Sequence, residues 1–312
     1  MNFQQLRSVQ EAVRQNLNLT QVAVALHTSQ PGVSKQIREL EDELGVQIFI
    51  RNGKRLTGLT QPGKAVLQWV ERLLAEQQNL KRSAADFASE KTGSLTIATT
   101  HTQARYSLPP AVRAFKQRYP LVQLSITQGN PAQIAALVVE GRADIAIATE
   151  TIAQHAGLIA LPCHRWHHIV VTPPGHPLLD VAQPSIHDLA RYPVITYDGA
   201  FAGRSTINQT FAQAGLEPNV VLSAVDSDVI KTYVELDLGI GILASIAFDP
   251  ERDKNLRAID TGYLFPEKTT YLAVRRGAYL RGFAFEFITL FAPTLTREVA
   301  EQAVKKGSHA SA

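Results

Sequence analysis

Four polar side chains in the segment 29–45 have the types and the spacing that base recognition requires. Gln30, Ser34 and Arg38 follow one another at intervals of four residues, and Lys35 lies beside them. They offer an amide suited to adenine, a hydroxyl suited to phosphate, and two cations suited to guanine. The pattern therefore indicates DNA binding, although every amphipathic helix has a polar face and an ordinary solvated surface is the alternative.

A helix that begins near Ser29 would position this face. Ser29 is a favourable N-cap, Pro31 falls in the first turn, where its missing N–H does no harm, and Gly45 is a typical end. Apolar residues recur on the opposite face: Val33, Ile37, Leu40 and Leu44. Helical spacing also predicts two shorter helices within 3–27, so the segment has the order of a helix-turn-helix. Ser29 and Pro31 therefore join the candidate DNA contacts.

A basic hairpin is predicted directly after this helix. Asn52 and Gly53 form a dipeptide that is typical of a tight turn between two strands. Basic residues flank this turn: Arg51, Lys54 and Arg55. A hairpin in this place makes the domain a winged helix, whose wing reaches phosphate or the minor groove. The alternative is an ordinary surface hairpin.

A second group of polar residues follows an apolar strand that we predict over 93–100. Thr99, Thr100 and Thr102 supply hydroxyls and Gln103 supplies an amide, and we expect the next helix to start only after this turn. In a parallel α/β fold, ligands bind where strands end and helices begin, next to free backbone N–H groups. Uncharged donors of this kind suit a small oxyanion such as sulfate, although threonine-rich turns are also common without a ligand.

One long helix is predicted between these two regions, over residues 62–92. Apolar residues recur along it at heptad spacing: Val66, Trp69, Leu73, Leu80 and Phe87. The stripe is typical of a helix that packs along a second helix, and Glu76 and Ser83 interrupt it. The partner would be a second copy of the chain or another part of the same chain.

Composition places the chain among globular proteins, because 45% of its 312 residues are hydrophobic and 19% are charged. The net charge is +3, and residues 1–92 carry the whole excess, with 12 basic and 9 acidic residues against 19 of each in the remainder. Cys163 is the single cysteine, which excludes an intrachain disulfide and a thiolate zinc site. The N-terminus lacks the apolar core of a signal peptide, and no run approaches the ~18 residues of a membrane span. We therefore expect a soluble cytoplasmic protein.

The segment TSQPGVSKQIRELEDELGVQIFIR, residues 28–51, resembles the N-terminal signature of LysR-type transcription regulators. The resemblance continues over residues 1–295. It implies an α/β fold with an N-terminal winged helix-turn-helix, a long linker helix and a two-lobed effector domain of the periplasmic-binding-protein type. It also implies homo-oligomers, commonly tetramers built as dimers of dimers, that bind promoter DNA and act with RNA polymerase.

The residue patterns and the resemblance together predict the domain boundaries. The chain would comprise a winged helix-turn-helix (1–61), a linker helix (62–92), effector lobe I (93–164 and 268–295), effector lobe II (165–267) and a polar, loosely ordered tail (296–312). The chain would thus cross between the two lobes twice.

Three further segments resemble the CysB-like subgroup of this family: IATTHTQARYSLP (97–109), GRS (203–205) and SDVIKTYV (227–234). The subgroup regulates sulfur assimilation, either cysteine biosynthesis or the use of sulfonate sulfur, and the residues do not separate these branches. The resemblance implies an effector such as sulfate, thiosulfate, adenosine phosphosulfate or acetylserine. An unrelated small anion is the alternative.

By the same resemblance, five residues match effector-contacting positions: Thr100, Thr102, Gln103, Thr149 and Trp166. Ala202 departs from the pattern, because the subgroup often has threonine there. The missing hydroxyl would remove one hydrogen bond to the ligand, which typically costs about 0.5–1.5 kcal/mol. We therefore expect an altered affinity or ligand choice at this position.

Two other motifs lack the context that their chemistry needs. Three histidines surround Trp166: His164, His167 and His168. Along a strand they would alternate between two faces, so we expect surface or cleft-edge histidines and no metal. The glycines of 239–244 form a G-x-G-x-x-A pattern, but it follows a predicted helix and enters a strand, the reverse of a dinucleotide site.

Two other classes of protein compete with a regulator. A solute receptor of the periplasmic type is opposed by the N-terminal winged helix and by the missing signal peptide. An α/β enzyme is opposed by the lack of a phosphate-binding loop and of a convincing nucleophile–base–acid set. We therefore expect a regulator without catalytic residues and without a cofactor.

Overall fold

The computed structural model describes residues 1–53, 55–89 and 91–309. The chain divides into two compact units, Met1–Ala85 and a second that begins at Asp86, and the boundary falls inside one long helix. No helix within these described ranges is long and apolar enough to cross a membrane.

The first unit is a three-helix domain with a hairpin and the start of the long helix. Its elements are α1 (Phe3–Arg14), α2 (Leu19–Ala25), α3 (Gln30–Leu44), β1 (Phe49–Asn52), β2 (Arg55–Leu59) and α4 (Gln61–Ala88). Asn2, Asn18 and Ser29 start the first three helices by accepting N–H groups of the first turn. The apolar faces meet in one core, which includes Leu6, Val9, Val22, Val33, Ile37, Leu40 and Phe49.

One threonine joins the wing to α4. The hydroxyl of Thr60 donates to the carbonyl of Gln47 over 2.5 Å and accepts the N–H of Gly63 over 2.9 Å. A Cβ atom at Gly63 would stand 2.0 Å from the carbonyl oxygen of Ile48. Only glycine therefore permits this close approach between the hairpin and the helix.

Lobe I of the second unit is a five-stranded sheet with helices on both faces. Its elements are β3 (Gly93–Thr99), α5 (Leu108–Arg118), β4 (Val122–Gln128), α6 (Pro131–Val139), β5 (Ile145–Ala148), β6 (Leu158–Trp166) and, after lobe II, β12 (Lys268–Arg275), α10 (Gly282–Phe291) and α11 (Arg297–His309). The strand order is β4-β3-β5-β12-β6, with β12 antiparallel to both of its neighbours. Apolar cores cover the two sheet faces, one under α5 and α10 and one under α6.

Lobe II has the same plan. Its elements are β7 (His168–Thr172), α7 (Ile186–Leu189), β8 (Val194–Tyr197), α8 (Ala202–Gln213), β9 (Val220–Ala224), α9 (Ser227–Glu235), β10 (Ile240–Ala244) and β11 (Arg257–Asp260). The strand order is β11-β7-β10-β8-β9, and β8 runs parallel to β9 and β10. In both lobes the carboxyl ends of parallel strands are followed by helices, which is the arrangement that creates a ligand site.

The chain crosses between the lobes after β6 and again between β11 and β12. The α/β class with two lobes behind a winged helix is thus confirmed. The pairing of β6 with β12 continues as far as Trp166, which lies opposite Lys268. The first crossing therefore lies two residues beyond the predicted boundary after residue 164.

The segment after β3 is helical, so the prediction of an open turn there is wrong. The helix starts at His101, passes through a π-helical turn at Gln103–Ser107 and continues as α5. Pro109 and Pro110 explain the wide turn, because neither nitrogen can donate the bond that an α-helix needs. Because prolines are common in the first turn of a helix, the sequence predicted a helix start at these prolines, several residues after the real start.

The prediction of a loosely ordered tail is wrong as far as residue 309. α11 occupies Arg297–His309, and Ala300 is fully buried in the core of lobe I. Small apolar residues at 300, 303 and 304 give this helix a narrow apolar face. Charged residues surround this narrow face in the sequence, so the apolar pattern is weak there. Residues 310–312 lie outside the described ranges.

Candidate functional site

The polar face of α3 is open to solvent. The predicted base-contacting residues all lie on it, with Gln30, Lys35 and Arg38 exposed and Ser34 half-buried. Pro31 lies in the first turn, and the Ser29 hydroxyl accepts the N–H of Gly32 over 3.2 Å. Lys35 has one distant partner, Glu39 at 3.7 Å. The cations of this face are therefore available to phosphate or to base edges.

Arg51 and Arg55 are the basic wing residues that the structure describes, and they lie in different environments. Arg55 is exposed, and Lys54 lies outside the described residues. Arg51 instead binds Glu41, with 2.7 Å between Nη2 and Oε2. The other oxygen of this buried carboxylate accepts the backbone N–H groups of Ile48 and Phe49 over 2.8 and 3.0 Å. Arg51 thus compensates a buried charge, and a DNA contact by it stays a prediction.

A cavity of about 50 Å³ lies between the two lobes. It is lined by Thr100, Thr102, Gln103, Pro131, Thr149, Trp166, Tyr197, Phe201, Gly203, Val225, Ala244 and Ile246. Five of the six predicted effector residues are thereby brought together from three separate segments of the chain. The sixth, Ala202, is the first residue of α8, and its side chain lies outside the described part of the structure.

Apart from position 202, sequence reasoning missed the lobe II wall of this cavity. Tyr197 ends β8 and Ala244 ends β10, where the carboxyl ends of strands meet α8 and the following turn. The rule that ligands bind at these strand ends could have found both residues. Gly203 belongs to the GRS segment, but it has no side chain that would have indicated a ligand contact.

None of the twelve lining side chains is charged at neutral pH. Two of them hold buried polar atoms that find no partner among the described residues, Oε1 of Gln103 and Nε1 of Trp166. The amide nitrogen of Gln103 donates to the Thr270 hydroxyl over 3.0 Å, which fixes the side chain. Buried polar atoms cost free energy unless a ligand or water satisfies them, so the cavity is suited to a polar guest.

Two helix N-termini also meet at the cavity. The helix that starts at His101 contributes Thr102 and Gln103 to the lining, and α8 contributes Gly203 from its first turn. Phe201 at the N-cap of α8 offers no side-chain cap. The first N–H groups of a helix lack internal partners and carry partial positive charge. An anion in this cavity would therefore find donors without a countercharge.

The three histidines near Trp166 have separate environments. His164 Nε2 lies 3.0 Å from the carbonyl oxygen of Phe291, and His167 Nε2 lies 3.0 Å from the Asp260 carboxylate. His168 is fully buried rather than at a surface or cleft edge. Burial lowers the pKa of His168 to about 3, so its ring is neutral. His168 lies next to the crossing between the lobes, and this explains why it is buried. The alternation of residues along a strand does not reveal such a position.

Within the described ranges, one group has the spacing of metal ligands. It consists of His101, Asp226 and Asp228, whose ligand atoms lie within 4.8 Å of one another. Arg105 lies 2.7 Å from Asp228 and Lys231 lies 3.7 Å from it. These cations already compensate the carboxylate, so we assign no metal to the group.

A winged helix-turn-helix joined to a two-lobed receptor with a polar cleft defines a ligand-responsive transcription regulator. Residues 3–64 match the family model of bacterial regulatory helix-turn-helix proteins of the lysR family, and residues 88–295 match the LysR substrate binding domain. The chain belongs to the LysR family of helix-turn-helix transcription regulators.

Individual relatives place it near three named regulators. It is 57% identical over 305 residues to the HTH-type transcriptional regulator CysB of Burkholderia cenocepacia, covering 98% of this chain and 97% of that protein. It is 56% identical over 295 residues to SsuR of the same organism, covering 95% and 96%. The crystal structure of the cofactor-binding domain of the Cbl regulator matches with a TM-score of 0.66 and 44% identity, covering 68% of this chain and 93% of that one. These matches support neither a solute receptor nor an enzyme.

Proposed function

We propose that this protein is a CysB-like regulator of sulfur assimilation that binds promoter DNA and responds to a small sulfur oxyanion. The similarity to CysB and SsuR supports the regulator class. The observation that carries the effector class is the cleft, where threonine hydroxyls, an amide and two helix N-termini meet without a charged side chain. Such a regulator would act in the cytoplasm.

DNA binding is assigned to α3 and the wing. α3 would lie in the major groove with Arg38, Gln30 and Lys35 toward base edges and phosphates, as recognition helices do. Arg55 and Lys54 on the wing would contact phosphate or the minor groove. Arg51 contributes by holding the wing against α3 through Glu41.

The apolar stripe of α4 supports a homodimer. Trp69, Leu73, Leu80 and Phe87 are exposed in the single chain, Phe87 by 91%. Solvent-exposed apolar residues at heptad spacing indicate a second helix packed along the first. Pairing two α4 helices would bring two recognition helices to neighbouring half-sites, and pairing two dimers would give the expected tetramer.

The size of the cleft favours the smallest effectors. A cavity of about 50 Å³ is far below the roughly 300–1,000 Å³ of sites for drug-sized ligands. Sulfate or thiosulfate fits this arrangement of the lobes better than adenosine phosphosulfate, which would require the lobes to separate. Acetylserine is intermediate in size, and Ala202 removes one hydroxyl donor from the predicted set.

The effector would act by stabilising one arrangement of the domains. A ligand shifts such an equilibrium only by the difference between its affinities for the two states. A ligand that contacts both lobes binds the closed arrangement best, so occupancy would be linked to lobe closure. The oligomer would pass this change to its DNA contacts and to RNA polymerase.

Isothermal titration of the full-length protein with sulfate, thiosulfate, adenosine phosphosulfate and acetylserine tests the effector class. We expect saturable binding of at least one of the two small oxyanions and a change in promoter binding in its presence. Protein that retains promoter binding but binds none of the four compounds would leave a LysR-family regulator and contradict the sulfur assignment.

A further inference from the structure

Asp228 of lobe II is bound by two neighbouring residues of lobe I. The phenol of Tyr106 donates to one carboxylate oxygen over 2.7 Å, and Nε of Arg105 lies 2.7 Å from the other. Asp228 lies in the first turn of α9, whereas Arg105 and Tyr106 lie in the π-helical turn. Both oxygens of one carboxylate are thus used to connect the lobes.

Other residues of lobe II hold the Asp228 carboxylate in place. Lys231, one turn further along α9, lies 3.7 Å from Asp228 and binds Asp253 at 2.9 and 3.1 Å. Its ammonium also lies 5.0 Å from the centre of the Tyr106 ring, within the range of a cation–π contact. Lys231 itself is buried. The buried Lys231 therefore holds Asp228 in place on the lobe II side.

The π-helical turn places these contacts next to the cavity. Gln103 opens the turn, is 3% exposed and lines the cavity, while Arg105 and Tyr106 follow within the same turn. One residue earlier, the Thr102 hydroxyl lies 3.5 Å from that of Ser227, the neighbour of Asp228. On the lobe I side, residues that line the cavity and residues that join the lobes therefore share one short helical segment. On the lobe II side, Val225 lines the cavity three residues before Asp228.

We propose that Asp228 is a positioning residue whose contacts with Arg105 and Tyr106 latch the lobes together across the effector cleft and so set effector affinity. We call these three residues the Asp228 latch. This inference rests on the proposed function, because it requires that the effector binds in the cleft between the lobes. A ligand between the lobes contacts both of them, and parting of the lobes would break those contacts together with both contacts to Asp228. Removing the latch lowers the population of the closed state and with it the apparent affinity.

The charges around Asp228 keep it ionised. Arg105, Tyr106 and His101 face it from lobe I, and Lys231 and Asp226 face it from its own helix. Burial alone would raise the pKa of Asp228, but the Tyr106 hydrogen bond and the charges of Arg105 and Lys231 lower it below the usual value. The latch is therefore formed throughout the neutral range.

Asp228→Asn tests the latch, with Asp226→Asn as the matched control. Both remove one negative charge from the start of α9. Asp226 caps this helix by accepting the N–H of Val229 over 2.9 Å, and asparagine caps equally well. Titration of full-length protein with sodium sulfate should show a dissociation constant about tenfold higher for Asp228→Asn and unchanged for Asp226→Asn. Adding Tyr106→Phe to Asp228→Asn should cause little further loss, since both act through one contact.

A second readout follows the lobes without any ligand. The sequence has two tryptophans, Trp69 and Trp166, so Trp69→Phe leaves Trp166 in the cleft as the reporter. Acrylamide should quench Trp166 more strongly in Asp228→Asn than in the parent, and saturating sulfate should reduce the difference. Equal sulfate affinity in Asp228→Asn and the parent, or equal loss in both asparagine variants, would overturn the latch.

Failure of the proposed effector is distinguishable from failure of the latch. If the parent protein binds neither sulfate nor thiosulfate, the effector assignment fails, and the quenching comparison alone decides about the latch. Stronger quenching in Asp228→Asn than in Asp226→Asn would then still support it, whereas equal quenching in both would reject it.

Discussion

The guanidinium of Arg51 lies 2.7 Å from the carboxylate of Glu41, and this ion pair joins the wing to the recognition helix. The Glu41 side chain is 1% exposed and that of Arg51 is 21% exposed. Both residues belong to the segment that resembles the family signature, Glu41 in its middle and Arg51 as its last residue. The motif that indicates DNA binding thus also contains the contact that fixes the shape of the DNA-binding domain.

Arg51→Met should therefore act first on stability. It leaves the buried Glu41 carboxylate without its cation, and breaking a buried pair in this way typically costs about 3 kcal/mol. Urea unfolding followed by Trp69 fluorescence, in a Trp166→Phe background, measures the loss in the first unit. Arg55→Met is the control, because Arg55 is an exposed wing cation; it should weaken promoter binding and leave the free energy of unfolding within about 0.5 kcal/mol. Equal stability of the two variants would contradict the structural role of Arg51.

Arg38→Ala should abolish specific promoter binding and leave the effector site intact. Arg38 lies on the exposed face of α3, and one bidentate base contact contributes about 1–3 kcal/mol of discrimination. Gel-shift titration against promoter and unrelated DNA measures this loss, and sulfate titration of the same variant is the control. A folded variant that loses both activities would show that the two units do not work as separate modules.

Leu80→Glu should disrupt the oligomer. Leu80 is 72% exposed in the single chain, and a charge in a packed helix seam is strongly unfavourable. Light scattering after size exclusion should show a lower molar mass than the parent protein at the same concentration. Gln78→Glu introduces the same side chain at an exposed position outside the stripe and should leave the mass unchanged. Unchanged mass for Leu80→Glu would contradict a homodimer formed through α4.

The sequence correctly predicted the helices and the hairpin whose formation depends on residues close together in the chain. The capped, amphipathic α3 followed from Ser29, Pro31 and the apolar spacing, and the wing followed from Asn52-Gly53. The partner of Arg51 did not follow, because the contact depends on how the hairpin folds back onto α3. The burial of His168 likewise depends on where the chain crosses between lobes.

The sequence predicted most of the lobe I side of the cleft and, on the lobe II side, only position 202. Thr100, Thr102 and Gln103 lie together in a motif that resembles a known subgroup, and all three line the cavity. Tyr197 and Ala244 are far apart in the sequence and meet only because β8 and β10 are neighbours in the lobe II sheet. The contact of Tyr106 with Asp228 spans 122 residues of sequence, which no periodicity reveals.

Ala202→Thr should strengthen sulfate binding. The residue starts α8 beside Gly203 of the cavity wall, and a new hydroxyl donor contributes up to about 1.5 kcal/mol, or roughly tenfold in affinity. Ala212→Thr, at an exposed position of the same helix, is the control for a change in helix stability. Isothermal titration compares the three proteins. An unchanged dissociation constant in Ala202→Thr would remove position 202 from the effector site.

His168→Leu should make the stability of the protein less dependent on pH. His168 is fully buried, and burial lowers its pKa to about 3 from an ordinary value of 6.5. The unfolded chain therefore binds a proton there below about pH 6.5 while the folded chain does not, so stability falls as the pH decreases through this window. Over pH 6.5 to 5 the loss amounts to about 2 kcal/mol. Urea unfolding at both pH values should show this loss in the parent and in His187→Gln, an exposed histidine, and a smaller loss in His168→Leu. The same loss in all three proteins would show that His168 is already protonated in the folded state, or that another group accounts for the pH dependence.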